Sequence, residues 1–547
     1  MLPDSKFSPL HFGTSGIRAP VIDMTDMECY INTRGFIQYL YKTKEIKPGD
    51  NIVLAGDLRP STPRIMSAVH RAIMDEGCQT LFCGFVPTPT LSYYAWKRHL
   101  PAIMVTGSHV PKELNGIKFI KSSEEVLKND EKDILFQVAE VREKEYSKNE
   151  NDFLFDVNGF FKQPVSLPSV SEEKNALVEF QKRYTSIFPS NILIGKKIVL
   201  YEQSAVGRDL LKNILTSLGA EVICFGRSDK FIPMDTEKMP DFVIDLLKQL
   251  AQDFQPFAVV STDGDSDRPV LADENGSFLS GDLLGTLVSL YLKPDFASMT
   301  ATCDDAAAII LKKSHIEVVL TKVGSPYVIA SMDEKLAQTP NAKVVSWERN
   351  GGYLLGSNFT VNNKILDSLP TRDSILPIII AIIFSVEEGV SLSALISSKL
   401  PRHFTVSGAV DNKTKGCESY NAHLGKTIVS SFSPQDSNIK QLNFTSKGLE
   451  IIPSMIISNP NLEKEAKSIK LGLESYFNSA FGYTPIISIG YIDGIRISFS
   501  NGEVAHLRPS NNAPEFRLYA TADTKERANK ILADRFVIIP AIISDIV

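Results

Sequence analysis

A helix closed by a glycine, followed by a strand closed by a second glycine, occurs twice in this chain at one spacing. In "STPRIMSAVHRAIMDEGCQTLFCG" (61–84), Thr62 is placed to cap a helix and Pro63 to occupy its first position. Ile65, Val69 and Ile73 then recur every four residues and make one apolar face. Gly77 stops the helix, and "CQTLFC" reads as a strand ending at Gly84. "GRDLLKNILTSLGAEVICFG" (207–226) repeats the arrangement with Gly219 and Gly226. Helix and strand signals alternate in this way for roughly the first 400 residues, which calls for several α/β units with helices packed on sheets. At 547 residues the chain is too long for one core, and about 100–200 residues per domain gives roughly three to five domains.

Composition narrows the function classes. Hydrophobic residues make up 43% and charged residues 22%, as in a soluble globular protein. A net charge of −6 leaves no electrostatic footprint for nucleic acid. The six cysteines (29, 78, 83, 224, 303, 417) form no CxxC pair, which argues against a zinc site or redox dithiol and fits buried thiols in a reducing compartment. The first residues, "MLPDSKFSPLHFG", have no apolar signal-peptide core. The greasiest stretch, "ILPIIIAIIFSV" (375–386), falls short of the ~20 residues that span a bilayer. With Asp373 or Ser374 as its cap, it reads as a buried helix. A cytoplasmic location is expected, with no nucleic acid and no membrane as partner.

Breaks in the pattern suggest boundaries. The charge-rich 121–150 segment reads as a solvated helix and loop. A connecting helix near 172–184 precedes the strand "KKIVLYE", a second break falls near Pro294, and a third near 402–415. Beyond it strands outnumber helices, so the last ~130 residues are expected to form a different, α+β domain.

Four strand-to-strand loops carry polar groups suited to chemistry. In "AVVSTDGDSDRPVLADENG", carboxylates at Asp263, Asp265 and Asp267 follow an apolar strand. On a straight strand the outer two would stand ~13 Å apart, whereas ligands of one Mg²⁺ each lie ~2.1 Å from it. The loop must curl, and Gly264 is the residue expected to permit this. An EF-hand does not fit, because Arg268 stands where its glycine is required and strands flank the loop. In "MVTGSHVPKELNGIK" (104–118), Ser108 lacks the G-x-S-x-G elbow of a hydrolase nucleophile, and Gly107 and Gly116 are expected to let the backbone bend. "SWERNGGYLLG" (346–356) offers Glu348 and Asn350 to neutral hydroxyls beside Gly351 and Gly352. "HLRPSNNAPEFRLYAT" (506–521) groups Arg508, Ser510, Asn511 and Asn512, a set suited to a phosphate dianion.

Taken together, these loops resemble those of the α-D-phosphohexomutase superfamily, which includes phosphomannomutases, phosphoglucomutases and phosphoglucosamine mutases. The resemblance runs nearly end to end through "FGTSGIR", "GDLRPST", "PTPTLSYY", "TGSHVPKELNGIK", "DGDSDR", "TKVGS", "WERNGG", "DGIRISF" and "RPSNNAPEFRLY". It implies three similar α/β domains with mixed sheets, at 1–168, 169–294 and 295–404. A smaller α+β, TATA-binding-protein-like domain at 405–547 would follow, with the active site in the central cleft. It implies that Ser108 is phosphorylated in the active enzyme and that Asp263, Asp265, Asp267 and the serine phosphate hold Mg²⁺. It implies that Arg268 and Arg18 are cations of the reaction centre and that Lys118 and His109 are the proton-transfer candidates. Glu348 and Asn350 match the sugar reader, and Arg508, Ser510, Asn511, Asn512 and Arg517 match the grip on the non-reacting phosphate. The implied reaction interconverts hexose 6-phosphate and hexose 1-phosphate through a hexose 1,6-bisphosphate, in a monomer or homodimer. Mannose phosphate is the expected substrate; glucose phosphate or dual use stays open, as do a Mg²⁺-dependent sugar phosphatase and a non-catalytic sugar-phosphate-binding relative.

The chain also departs from the family pattern. Gly107 stands where alanine is commoner and Val110 where many members carry asparagine. Trp347 and Gly352 stand where many have glycine and histidine. The missing histidine shifts the expected proton transfer to Lys118 and His109. "NGGYLLGS" with "LPTRDSILP" (369–377) resembles phosphomannomutase-type members.

Overall fold

The computed structural model describes residues 10–546 except 14–15, 150–151, 401–403, 447, 453–460 and 511–514. It falls into two compact units, one of residues 1–299, 311–319 and 324–399, the other of 300–310, 320–323 and 400–547.

The first unit contains three mixed sheets built to one plan. In the first sheet, Asn51–Gly56 runs parallel to Gln79–Phe85 and to Ala102–Val105, which turns back into the antiparallel Leu114–Ile120. In the second, Lys197–Tyr201 runs parallel to Glu221–Phe225 and to Ala258–Thr262, which turns back into Pro269–Ala272. In the third, Phe296–Thr300 is parallel to Val344–Trp347, which turns back into Tyr353–Leu355 and then Leu369–Asp373. The 104–118, 263–268 and 346–356 loops are thus the same structural element three times over. Each connects the last parallel strand to the first antiparallel one, at the carboxyl end of a parallel strand where α/β proteins place their ligands.

The glycine-punctuated repeat is present as read. Helix Thr62–Asp75 is followed by Gly77 at φ +78° and strand Gln79–Phe85 contains Gly84 at φ +66°; helix Arg208–Ser217 is followed by Gly219 at +96° and strand Glu221–Phe225 by Gly226 at +68°. All four lie in the region where a β-carbon is costly. One detail differs. The N-cap of the first helix is Ser61, and the Thr62 hydroxyl turns inward to donate to Asp57 Oδ1 at 2.7 Å, because a buried carboxylate is the stronger acceptor.

The apolar stretch forms the helix Ile375–Glu387, buried on nearly all sides. Ser374 is its N-cap residue, while the Asp373 carboxylate accepts the first two N–H groups. Among the described residues no single helix is long and apolar enough to cross a membrane. The charged segment contains the helix Lys128–Tyr146, and the connecting helix runs over Glu173–Thr185.

The second unit has a different plan. Seven strands form one antiparallel sheet in the order Phe404–Val410, Phe516–Ala522, Val504–Pro509, Ile495–Phe499, Ile486–Gly490, Gln441–Thr445, Gly448–Ile452. Its apolar residues, among them Ile497, Leu507 and Leu518, share a core with Ile531, Ile539 and Ile542 of the long helix Lys525–Ile546.

Candidate functional site

Ser108 is buried and left-handed, at φ +57°. For a residue with a β-carbon that backbone costs about 1–3 kcal/mol and persists only where the surroundings dictate it. Its N–H donates to Thr106 Oγ1 at 2.8 Å and its hydroxyl to Asp263 Oδ2 at 3.0 Å. Gly107 and Gly116 serve close approach rather than the expected turning. Neither has a positive φ, but a β-carbon on Gly116 would meet Ile17 O at 2.5 Å and one on Gly107 would meet Arg59 Cζ at 2.7 Å.

The acidic loop curls as required, though not at Gly264. The left-handed residue is Ser266, at φ +57°, held by its hydroxyl contacts to Gly207 N and Thr262. Gly264 keeps a negative φ and is needed for space, since a β-carbon there would lie 2.9 Å from Ser108 O. The curl gathers Asp263, Asp265 and Asp267, whose ligand atoms lie within 4.8 Å of one another, all buried. Asp263 Oδ1 accepts from the N–H groups of Asp267 and Arg268. Thr88 donates its hydroxyl to Asp265 Oδ2 at 2.7 Å and its N–H to Asp265 O. Ser374 Oγ donates to Ser266 O at 2.7 Å.

These carboxylates are electrostatically incomplete. Burial, then Asp265 and Asp267, push Asp263 well above the ordinary carboxylate range. Burial opposes charge on Asp267 too, but Arg372, Lys118 and Arg268 outweigh it and hold that residue low. Asp265 Oδ1 and Asp267 Oδ1 are buried without a hydrogen-bond partner among the described residues. Three converging carboxylates with unused oxygens and a serine oxygen beside them form a hard, anionic donor set that fits a divalent cation such as Mg²⁺.

Cations surround the acids. Lys118, on Leu114–Ile120, places Nζ 2.6 Å from Asp265 Oδ2 and 3.0 Å from Asp267 Oδ2. Arg18 sits opposite Gly116 on the neighbouring strand Gly16–Pro20. Burial and the proximity of Arg268 pull its guanidinium down to about 10, against the attraction of Asp265. Among the described residues Arg268 reaches no acid closer than 3.6 Å, and its buried Nε has no hydrogen-bond partner there. Such positive groups are suited to an anion. His109 has a buried Nδ1 without a hydrogen-bond partner. Burial, Arg268 and Arg18 hold its imidazole well below the ordinary histidine range.

The 346–356 loop adds Glu348 and Asn350, both buried. Glu348 Oε1 accepts from Arg372 Nη1 at 3.1 Å, and Asn350 Oδ1 accepts the Gly352 N–H at 3.0 Å. Two departures from the family pattern are matched by their surroundings. Trp347 stacks on Tyr353 (centroids 6.0 Å apart, planes 7°) in space that exists because residue 285 is glycine; a β-carbon there would meet the indole at 2.4 Å. A β-carbon on Gly352 would lie 2.7 Å from three carbons of Arg372. The arginine therefore crosses where a larger residue at 352 would stand.

Arg372, Thr88, Asp57 and Arg59 belong to this neighbourhood and carried no sequence expectation. Their only signal in the sequence is positional: each lies in a motif quoted above, and Arg372 adjoins the helix-capping Asp373 and Ser374.

Of the expected phosphate grip, Arg508, Ser510 and Arg517 are described and belong to the second unit, while Asn511 and Asn512 lie outside the described residues. Arg508 and Arg517 stand opposite each other on neighbouring strands, and each has a carboxylate beside it. Asp493 Oδ2 lies 3.3 Å from Arg508 Nε, and Glu515 lies 2.6 Å from Arg517 Nη2. His506 Nε2 donates to Asp493 O at 2.5 Å, and Ser510 N donates to Glu515 O.

Comparison with known proteins follows the same lines. Residues 9–145 match the family model "Phosphoglucomutase/phosphomannomutase, alpha/beta/alpha domain I", and residues 280–403 match domain III of that family. A phosphomannomutase of Salmonella muenchen is 34% identical over 525 residues, covering 96% of this chain and 94% of its own. One from Sinorhizobium fredii is 32% identical over 530 residues, covering 96% and 98%. Among solved structures, a putative phosphomannomutase from Thermus thermophilus superposes with a TM-score of 0.66 at 16% identity, over 98% of this chain and 100% of that one. This likeness shows a shared fold.

Proposed function

Because this chain belongs to the α-D-phosphohexomutase superfamily and is an isomerase that moves a phosphoryl group, we propose that Ser108 is its phosphoryl carrier and mannose phosphate its substrate. One observation carries the residue assignment: the buried, left-handed Ser108 aims its hydroxyl into the three-aspartate group, 3.0 Å from Asp263. Mannose is supported by the two relatives named phosphomannomutase that match nearly the whole chain.

In this reading, phosphorylated Ser108 meets a hexose 6-phosphate. The sugar O1 attacks phosphorus, the Oγ–P bond breaks and an O1–P bond forms, giving the 1,6-bisphosphate. The O1 proton passes through the Lys118 and His109 pair of the serine loop to the departing Oγ. The bisphosphate turns around, Ser108 Oγ attacks the phosphorus on O6, the O6–P bond breaks, the proton returns from Oγ to O6 by the same pair, and the hexose 1-phosphate departs with the serine rephosphorylated. Such transfer needs positioning and charge neutralisation more than covalent chemistry. Arg18 and Arg268 hold the moving phosphoryl oxygens. Glu348 and Asn350 orient the sugar hydroxyls. Arg508, Ser510 and Arg517, with Asn511 and Asn512, hold the phosphate that does not react. Asp263, Asp265, Asp267 and the serine phosphate would hold Mg²⁺, which supplies Lewis-acid neutralisation of the phosphoryl charge. We also infer four domains, at 1–168, 169–294, 295–404 and 405–547, acting in the cytoplasm as a monomer or homodimer on a hexose phosphate, with hexose 1,6-bisphosphate as activator.

The test is Ser108→Ala supplied with glucose 1,6-bisphosphate. We expect folded protein without turnover, and wild-type protein one phosphate heavier by intact mass. Full turnover in the variant would remove Ser108 from the mechanism. Release of free phosphate without interconversion would make the enzyme a phosphatase. Comparing kcat/KM for mannose 1-phosphate, glucose 1-phosphate and glucosamine 1-phosphate decides the sugar.

A further inference from the structure

Arg59 is buried beneath the serine loop and uses all five of its guanidinium N–H donors. Nη1 donates to Pro111 O at 2.8 Å and Leu114 O at 3.0 Å; Nη2 donates to Ser108 O at 2.7 Å and Val110 O at 2.6 Å; Nε donates to Asp57 Oδ2 at 3.1 Å. An arginine so saturated has nothing left for a substrate phosphate, unlike Arg268, whose buried Nε has no hydrogen-bond partner among the described residues. The face of Arg59 lies 4.0 Å from the centroid of the Phe231 ring, and the guanidinium itself leaves no room for a β-carbon at Gly107.

The other flank of Ser108 returns to the same atom. The Ser108 N–H donates to Thr106 Oγ1, and the Thr106 hydroxyl donates to Asp57 Oδ2 at 2.7 Å. One carboxylate oxygen therefore anchors the amide on the N-terminal side of Ser108 through Thr106 and the carbonyl on its C-terminal side through Arg59. Asp57 is itself fixed at Oδ1 by Thr62 Oγ1 (2.7 Å) and by Arg59 N (3.0 Å). The geometry points to Asp57, Arg59 and Thr106 as positioning residues that hold Ser108 left-handed and so aim Oγ at the acidic loop, none of them touching substrate. This inference rests on Ser108 being the phosphoryl carrier.

Released from either anchor, a serine relaxes to negative φ and its hydroxyl swings away from Asp263. Binding elsewhere is untouched, so the loss falls on the transfer rate. The experiment is a single turnover: wild type, Thr106→Val, Thr106→Ser and Arg59→Lys are loaded with glucose 1,6-bisphosphate, their phosphorylated fraction is read by intact mass, and each is mixed with mannose 1-phosphate. For Thr106→Val and Arg59→Lys we expect the transfer rate constant to fall tenfold or more, with the phosphorylated fraction and KM within about twofold of wild type. Thr106→Ser keeps the hydroxyl and restores the rate. A merely structural role predicts the opposite split, with fewer active molecules at an unchanged rate constant, and that result overturns the inference. Should Arg59→Lys fail to fold, the Thr106 pair decides alone. Ser108→Ala run in parallel separates the two claims. An active alanine variant removes the carrier and this inference together, whereas a dead alanine variant beside an unimpaired Thr106→Val removes only the positioning role.

Discussion

The ammonium of Lys118 stands 2.6 Å from Asp265 Oδ2, with Asp267 Oδ2 3.0 Å away on its other side, so a lysine bridges two of the three carboxylates that fit a divalent cation. It neutralises charge that the cation would otherwise meet in full. Lys118→Met is therefore expected to act in two directions. Turnover falls by roughly 10²-fold or more through loss of a charge and proton partner, while the cation binds more tightly to the less compensated acids. Titration with Mn²⁺, read by electron paramagnetic resonance beside the activity assay, checks both. Weakened binding would show that Lys118 organises the acidic loop instead of competing with its cation.

Arg372 ties Asp267 to Glu348, at 3.0 and 3.1 Å, in a place that leaves these acids almost no solvent. Removing one member of such a group leaves buried charge uncompensated and costs about 3–5 kcal/mol. Arg372→Met should lower the unfolding midpoint in urea accordingly. Adding Glu348→Gln should recover part of the loss, since one stranded charge is gone. Additive losses in the double variant would mean the two residues do not interact.

Glycine in place of the commoner alanine at 107 reads as a mild change in sequence, but the structure makes it a packing requirement. Gly107→Ala places a β-carbon 2.7 Å from Arg59 Cζ, and that guanidinium is hydrogen-bonded on every side. We expect a loss of about 1–3 kcal/mol in stability, as for an overpacked core. Thermal unfolding with and without hexose phosphate measures it; an unchanged midpoint would mean that Arg59 yields freely.

His506 introduces a pH dependence in the second unit. Burial and the nearby Arg496 and Arg508 depress its imidazole from 6.5 to about 3, although its hydrogen bond to the Asp493 carbonyl pulls the other way. The unfolded chain takes up this proton near 6.5 and the folded chain does not. The stability contribution is thus whole above about pH 6.5 and is lost as pH falls toward 3, at up to about 1.4 kcal/mol per pH unit. His506→Gln should flatten that slope between pH 6.5 and 4 in urea unfolding curves followed at the second unit.

Much of this fold was open to reading in advance. The helix around Ile65, Val69 and Ile73 and the strands on either side of each loop follow from local periodicity and punctuation, which survive in any context. The gathering of Asp263, Asp265 and Asp267 was equally accessible, because carboxylates close together demand a partner, whereas Ser108 stands out only through the resemblance to a family. What stayed hidden depends on partners far apart in the chain. Thr88 meets Asp265 across 177 positions and Arg372 meets Asp267 across 105, and no periodicity encodes such meetings. The sequence points to Gly264 for the curl of the acidic loop, because glycine is the default left-handed residue. Ser266 adopts that backbone instead, since its hydroxyl is captured on two sides. A single sequence gives preferences, and a tertiary hydrogen bond can outbid them.

The chain contains two tryptophans, and one of them, Trp347, is wholly buried next to Glu348 and stacked on Tyr353. The 346–356 loop consequently has an emitter built into its base. With Trp96 replaced by phenylalanine, the remaining indole fluorescence would come from that loop alone. Hexose phosphates could then be ranked by the light they shift, at equilibrium and without any coupled assay.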